Sequence, residues 1–275
     1  MALRLPLPLR RLASLPIRSV PVGVRSGPNA GRRWSLAASG RGIWQGNYEK
    51  DRFDALAELV GEGDVFWDVG AHRGYATLIA EGLVGRSGAV RAFEPAADNL
   101  WYLRTHLRWN DAARVDVHSC ALADQHGTAD FGGEGSSVSH RLGGGSDTVP
   151  VRTVSGLVEE GLEPPTFLKI DVEGAESRVL DGARRTLESL DTDPDSTLPA
   201  ILVSVHSGPQ LTACLDVLRS FGYRIFGSTG LDPFMDRLDA SWYDDPDLIA
   251  LPTDGRLDPE AVRRMPSFRG GPELT

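Results

Sequence analysis

Cysteine is scarce: Cys120 and Cys214 are the only two in 275 residues. They offer neither a disulfide framework nor the paired spacing of a metal knuckle, which fits a cytoplasmic setting. Each reads as a small buried hydrophobe. Long apolar runs are missing as well; none approaches the roughly 18 residues of a membrane span, so no membrane-crossing segment is expected. Acids are absent from residues 1–48, which hold eight arginines, whereas residues 49–275 carry 38 acids against 21 bases. A region that acidic repels phosphate backbones, which argues against nucleic acid as substrate and leaves a small molecule. The basic start reads as a solvated or locally docked arm that could still touch an anionic partner. Transit peptides share its composition, but Pro6, Pro8, Pro16 and Pro21 would interrupt the amphipathic helix they need.

What remains is ordinary for a soluble globular chain: 41% hydrophobic and 24% charged residues. The length suits one full-sized domain with extensions. The pattern divides into a basic extension over 1–50, a domain over 51–252 and a polar, loose tail over 253–275. No internal repeat is present, and nothing in the pattern sets an oligomeric state.

From about residue 51, short apolar runs alternate with helical periodicity. The expected order is helix 54–60, strand 65–68, helix 73–82, strand 90–93, helix 97–110 and strand 115–120. Strands 128–131 and 148–152 flank GGEGSSVSHRLGGGS, whose six glycines and four serines suit a mobile loop or a lid. Strand 167–172, helix 175–190, strand 200–205, helix 210–221 and strands 223–226 and 248–251 complete the pattern. Runs such as AILVSV lack polar alternation, as strands do when both faces of a parallel sheet are covered. Ligands of such α/β sheets lie beyond the carboxyl ends of the strands.

Two stretches at those ends carry chemistry. In VFWDVGAHRGYATLIA, Gly70 and Gly74 follow a strand and allow close backbone approach to a ligand. A dinucleotide site would use G-x-G-x-x-G and helix-end amides for a pyrophosphate, which Asp68 would repel. A carboxylate there suits an amine-bearing or cationic nucleoside such as S-adenosylmethionine. Glu94 ends the next strand in VRAFEP and can accept hydrogen bonds from both hydroxyls of a ribose, or else cap the helix beginning near Ala97. In FLKIDVEGAE, Lys169, Asp171 and Glu173 alternate and so share one side. Charges in a central strand are costly unless paired or used. They therefore form either a structural ion pair or a catalytic group, and His206, ending ILVSVH, would converge on the same rim.

Together VFWDVGAHRGYAT, VRAFEP, VHSCALADQHGTADF and FLKIDVEGAE resemble the FkbM-type family of S-adenosylmethionine-dependent methyltransferases over residues 25–226. SGPNAGRRW and GIWQGNYE also look like a pattern found ahead of the core in some members. The resemblance implies an α/β, Rossmann-like class I methyltransferase sandwich, its seven-stranded sheet mostly parallel with an antiparallel last strand. It implies cofactor contacts at Asp68, Gly70 and Gly74 for the methionine end, Glu94 for the ribose, and Ala121–Ala123 beside the adenine. One departure stands out: an acid often precedes the histidine by two residues in this family, and here that position is Ser204. The turn VGAHRGYA is also similar to that of magnesium-using catechol O-methyltransferases, which alone supports no metal here.

The expected reaction is methylation of a hydroxyl on a small metabolite such as a polyketide, sugar or glycolipid. Asp171 or His206 would be the base, Lys169 would hold the acid ionised, and Glu173 would orient substrate or cofactor. Trp44, Tyr48 and Trp101 are candidates for the acceptor pocket. Two other readings share the fold, a nicotinamide-dependent oxidoreductase and a non-catalytic partner protein.

Overall fold

Apolar runs without polar alternation become the buried centre of the sheet. The computed structural model describes residues 17–38, 41–132, 141–143, 145, 147–228, 247–253, 259–265, 268 and 273–274. In chain order the elements are β1 (Pro21–Gly23), β2 (Arg33–Ser35), α1 (Arg41–Gln45), α2 (Lys50–Leu59), β3 (Val65–Val69), α3 (Tyr75–Leu83), β4 (Ala89–Phe93) and α4 (Ala97–Trp109). Next come β5 (Val115–His118), β6 (Ala121–Leu122), β7 (Gly127–Gly132), β8 (Arg141–Leu142), β9 (Asp147–Arg152) and α5 (Val154–Glu159). The last group is β10 (Phe167–Ile170), α6 (Glu176–Thr192), β11 (Ala200–Ser204), α7 (Gly208–Ser220), β12 (Arg224–Gly227), β13 (Asp247–Leu251) and α8 (Pro259–Arg264).

Seven strands form the main sheet in the order β12-β13-β11-β10-β3-β4-β5. The pairs from β11 to β5 are parallel, and β13 runs antiparallel between β11 and β12. The order reverses between β3 and β10, so their carboxyl ends open the crevice where α/β sheets bind ligands. This is the expected class I methyltransferase architecture.

Side chains alternate between the two faces of the sheet. Phe66 and Phe167 join the core under α2, α3 and α4, while Trp67, Leu168 and Ile170 join the one under α6 and α7. Cys120 and Cys214 are both free and buried, as small hydrophobes should be.

Two differences from the expected pattern stand out. The strands flanking the Gly/Ser segment leave the main sheet and form a four-stranded sheet of their own, β6-β9-β7-β8. Residues 133–140 of the expected lid lie outside the described residues. The strand expected over 167–172 ends at Ile170, because Glu173 (φ +55°) and Gly174 (φ +98°) turn the chain.

The segment expected as a basic extension packs as part of the core from Val24 onward. Trp34 is 1% exposed and stacks on His106 at 3.8 Å, and Ser35 N donates to His106 Nε2 at 3.0 Å. Asn29 Nδ2 donates to the Tyr75 carbonyl, and Arg32 pairs with Glu81. In the expected loose tail, Val262, Met265, Phe268 and Leu274 are buried, and Phe226 bridges to Glu273. No helix among the described residues is long and apolar enough to cross a membrane.

Candidate active site

The carboxyl ends of β3, β4, β10 and β11 surround a cleft of about 410 Å³. Val69, Gly70, Ala71 and His72 form its floor, with Glu94, Pro95 and Asn99 on one side and Lys169, Asp171, Glu173 and His206 on another. Ala121 and Leu122 line it from the small sheet, together with Phe131 and Leu142, which flank the Gly/Ser segment. The N-terminal region contributes Trp34, Ile43, Tyr48, Glu49, Arg52 and Phe53. Trp44 and Trp101, expected at the acceptor pocket beside Tyr48, are not among the residues that line it. Burial and neighbouring Glu49 push the Tyr48 phenol up, so it stays a neutral hydroxyl.

Glu94 lines the cleft while only 4% exposed. Its Oε2 accepts from His72 N at 2.8 Å, and its Oε1 accepts from Ala96 N at 2.8 Å and Asn99 Nδ2 at 3.3 Å. The ribose-binding and helix-capping readings of this residue therefore meet in one carboxylate. Burial pushes its pKa up to about 7 against the lowering effect of those donors and of Lys169. Asn99 Oδ1 beside it is buried with no hydrogen-bond partner among the described residues. Such an acceptor fits a ligand that brings hydroxyl or amine donors.

Asp68 does not stand where the sequence placed it. It is 0% exposed and absent from the cleft wall; Lys169 Nζ donates to its Oδ1 at 2.9 Å and Thr77 Oγ1 donates to its Oδ2 at 2.6 Å. The cause is register: Asp68 and Lys169 are direct partners across β3 and β10, so their side chains project from the same face. The acid lies one layer behind the cleft and holds the lysine, which also donates to the Gly70 carbonyl at 3.1 Å. Burial lowers the affinity of Lys169 for its proton, but Asp68 and Asp171 outweigh it and keep the ammonium charged.

The glycines divide their work. At Gly70, φ is +80° and a Cβ would meet the Asp171 carbonyl at 1.8 Å, so this residue lets the two strand exits touch at the cleft. At Gly74, φ is +91° and a Cβ would meet Leu103 Cδ1 at 2.5 Å, away from the cleft. It serves the packing of α3 on α4, and His72, at φ +50°, takes the bend between them.

The second constellation converges as expected. Lys169 Nζ lies 3.6 Å from Asp171 Oδ2, and His206 Nε2 lies 3.6 Å from both Asp171 Oδ1 and Glu173 Oε2. Burial alone would raise the Asp171 carboxyl, but Lys169, then Arg52, His206 and His72, hold it below the usual range. Burial alone would lower His206, yet Glu176, Asp171 and Glu173 lift it to about 9. With no ion bound, those acids keep this histidine protonated at neutral pH.

Sequence reasoning missed three parts of this arrangement. Glu176, fully buried at the start of α6, accepts from Gly174 N at 2.7 Å and bonds His206 Nδ1 at 2.7 Å. Its signal was the second acid of EGAE, which reads as an ordinary first-turn acid of a helix. Arg52 pairs with Glu49 at 2.6 Å and Asp247 at 2.9 Å beside the cleft. Asp247 in turn accepts from Ser204 Oγ at 2.9 Å, so an acid from β13 stands against the position where the family pattern has its own.

The profile described as the methyltransferase FkbM domain matches residues 68–225, from the Asp68 strand through the region of His206. The chain belongs to the FkbM methyltransferase domain family. It therefore carries a methyltransferase FkbM domain over most of the residues that build the cleft. This FkbM-type chain is 30% identical over 167 residues to the hexuronic acid methyltransferase AglP of Haloferax volcanii, covering 58% of the chain and 63% of that protein. Among solved structures it is similar to methyltransferase FkbM from Methylobacillus flagellatus (TM-score 0.48, 23% identity, 68% of this chain and 43% of that one). It is also similar to an S-adenosylmethionine-dependent O-methyltransferase from Thermotoga maritima (TM-score 0.45, 17% identity, 76% and 66%). The chain thus spans less than two thirds of AglP and less than half of the Methylobacillus protein.

Proposed function

We propose that this methyltransferase transfers a methyl group to a hydroxyl oxygen of a sugar-type small molecule. The observation that supports the reading is the meeting, in one cleft, of the buried Glu94 carboxylate and Asn99 with the Asp171–His206 cluster. The 30% identity to a hexuronic acid methyltransferase favours a sugar over a polyketide.

Glu94 and Asn99 would hold the ribose, Gly70 and Ala71 would pass their backbone beside the methionine end, and Ala121 and Leu122 would flank the adenine. Asp68 would act indirectly, by keeping Lys169 charged and in place. Bound S-adenosylmethionine supplies an electrophilic methyl on a sulfonium. The acceptor hydroxyl would lie against Asp171, whose carboxylate takes its proton as the new oxygen–carbon bond forms and the carbon–sulfur bond breaks, leaving S-adenosylhomocysteine. Lys169 keeps that carboxylate ionised beforehand, His206 positions it, and Glu173 faces the incoming substrate at 37% side-chain exposure. Tyr48, Arg52 and Trp34 would shape the acceptor side.

Thermal shift with S-adenosylhomocysteine and with NAD tests the cofactor half of this reading. The homocysteine nucleoside should raise Tm while NAD does not; a rise with NAD alone would return the oxidoreductase reading. Transfer of labelled methyl to uronic-acid-bearing oligosaccharides tests the other half.

A further inference from the structure

We infer that Asp171 Oδ1, Glu173 Oε2 and His206 Nε2 form a three-donor site for a first-row divalent cation on the acceptor side of the cofactor cleft. The inference rests on the methyltransferase reading for its function, and on geometry for the site itself. One ligand atom from each of Asp171, Glu173 and His206 lies within 4.8 Å of the other two. The histidine nitrogen stands 3.6 Å from each carboxylate oxygen, which is too long for a hydrogen bond. An ion with bonds of about 2.1–2.2 Å, the usual length to imidazole nitrogen and carboxylate oxygen, spans such gaps at angles of roughly 110–120°.

The surroundings prepare the same atoms. Glu176 is fully buried and holds His206 Nδ1 at 2.7 Å, which leaves Nε2 as the nitrogen directed at Asp171 and Glu173, and an incoming ion would displace the Nε2 proton to solvent. A carboxylate behind a histidine is the arrangement that fixes ring orientation and tautomer in metal sites. Asp171 divides its oxygens, with Oδ2 toward Lys169 and Oδ1 toward His206. All three donors line the cleft, so an ion would keep coordination positions open to a ligand, as catalytic sites do. The imidazole donor suits iron or zinc and the two carboxylates suit manganese, so Mn²⁺ is a fair probe of the mixed set. An ion there would select acceptors that present two adjacent oxygens, such as a vicinal diol or a hydroxyl beside a carboxylate.

The test uses the full chain, stripped with EDTA and dialysed, and Mn²⁺ alone as probe, followed by calorimetry and by loss of the free-ion electron paramagnetic resonance signal. The inference expects one Mn²⁺ per chain. Affinity should fall at least about tenfold in Glu173→Gln, with unchanged thermal unfolding, and by about 10–100-fold in Glu176→Gln. Absence of Mn²⁺ binding, or equal binding in Glu173→Gln, would overturn it. The same stripped sample is titrated with S-adenosylhomocysteine. Retained nucleoside binding without Mn²⁺ binding overturns the cation site alone, and loss of nucleoside binding overturns the functional reading beneath it.

Discussion

Glu94 sets a pH dependence that is its own, because burial moves its titration to about pH 7. Its ionised form accepts hydrogen bonds from ribose hydroxyls, and protonation removes acceptor capacity. Affinity for S-adenosylhomocysteine, measured by calorimetry, should therefore weaken below pH 7, by up to about tenfold per pH unit. The cofactor-free fold responds with the opposite sign. A carboxyl whose folded pKa exceeds its unfolded value binds more protons when folded, so its contribution to stability is present at low pH and is lost as pH rises from about 4.5 to about 7. The shift is worth about 3 kcal/mol, readable by denaturant unfolding at a series of pH values. Asp171 and His206 make a different prediction. Asp171→Asn and His206→Ala should each lower turnover at least about 100-fold while leaving S-adenosylhomocysteine affinity near wild type. Full turnover in both would remove the cluster from the mechanism. At this scale the sequence was half legible: the charged residues of FLKIDVEGAE were conspicuous, but the role of Asp68 was not, because its partner Lys169 lies 101 residues away.

At the scale of elements, the turn from β3 to α3 is built so tightly that glycine decides it at two positions. Gly70→Ala drives a Cβ into the Asp171 carbonyl, so it should destabilise the fold and lower activity together, since the displaced turn carries the proposed base Asp171. Gly74→Ala meets Leu103 and a strained φ, and should cost more than about 1 kcal/mol in denaturant unfolding with a smaller effect on turnover per folded molecule. Equal losses of activity at both positions would contradict this division of roles. The strands of the main sheet were legible because doubly covered strands appear as unbroken apolar runs. The small sheet was not, because its short pairs β6–β9 and β7–β8 depend on contacts across the Gly/Ser segment.

Across the whole molecule, the N-terminal segment is the part the sequence disguised. Its prolines, glycines and arginines read as a solvated or locally docked arm, yet single apolar residues such as Trp34 and Ile43 reach the core and the cleft wall. Trp34→Ala should lower stability by about 3–5 kcal/mol in denaturant unfolding. A loss within about 0.5 kcal/mol would mean that the segment is not integral to the fold. Asp247 acts over a similar span, as β13 brings it between Ser204 and Arg52 behind the catalytic rim. Only the assembled sheet shows that an acid is there.

The central claim is that the Asp171 rim sends the cofactor's methyl to a hydroxyl oxygen. Mass spectrometry of a uronic-acid-bearing oligosaccharide after incubation with isotopically labelled S-adenosylmethionine tests it most directly. A labelled methyl ether made by the wild type, and reduced at least about 100-fold by Asp171→Asn, is the result expected here. A label on nitrogen, a methyl ester on the carboxylate, or an ether formed equally well by Asp171→Asn would contradict it.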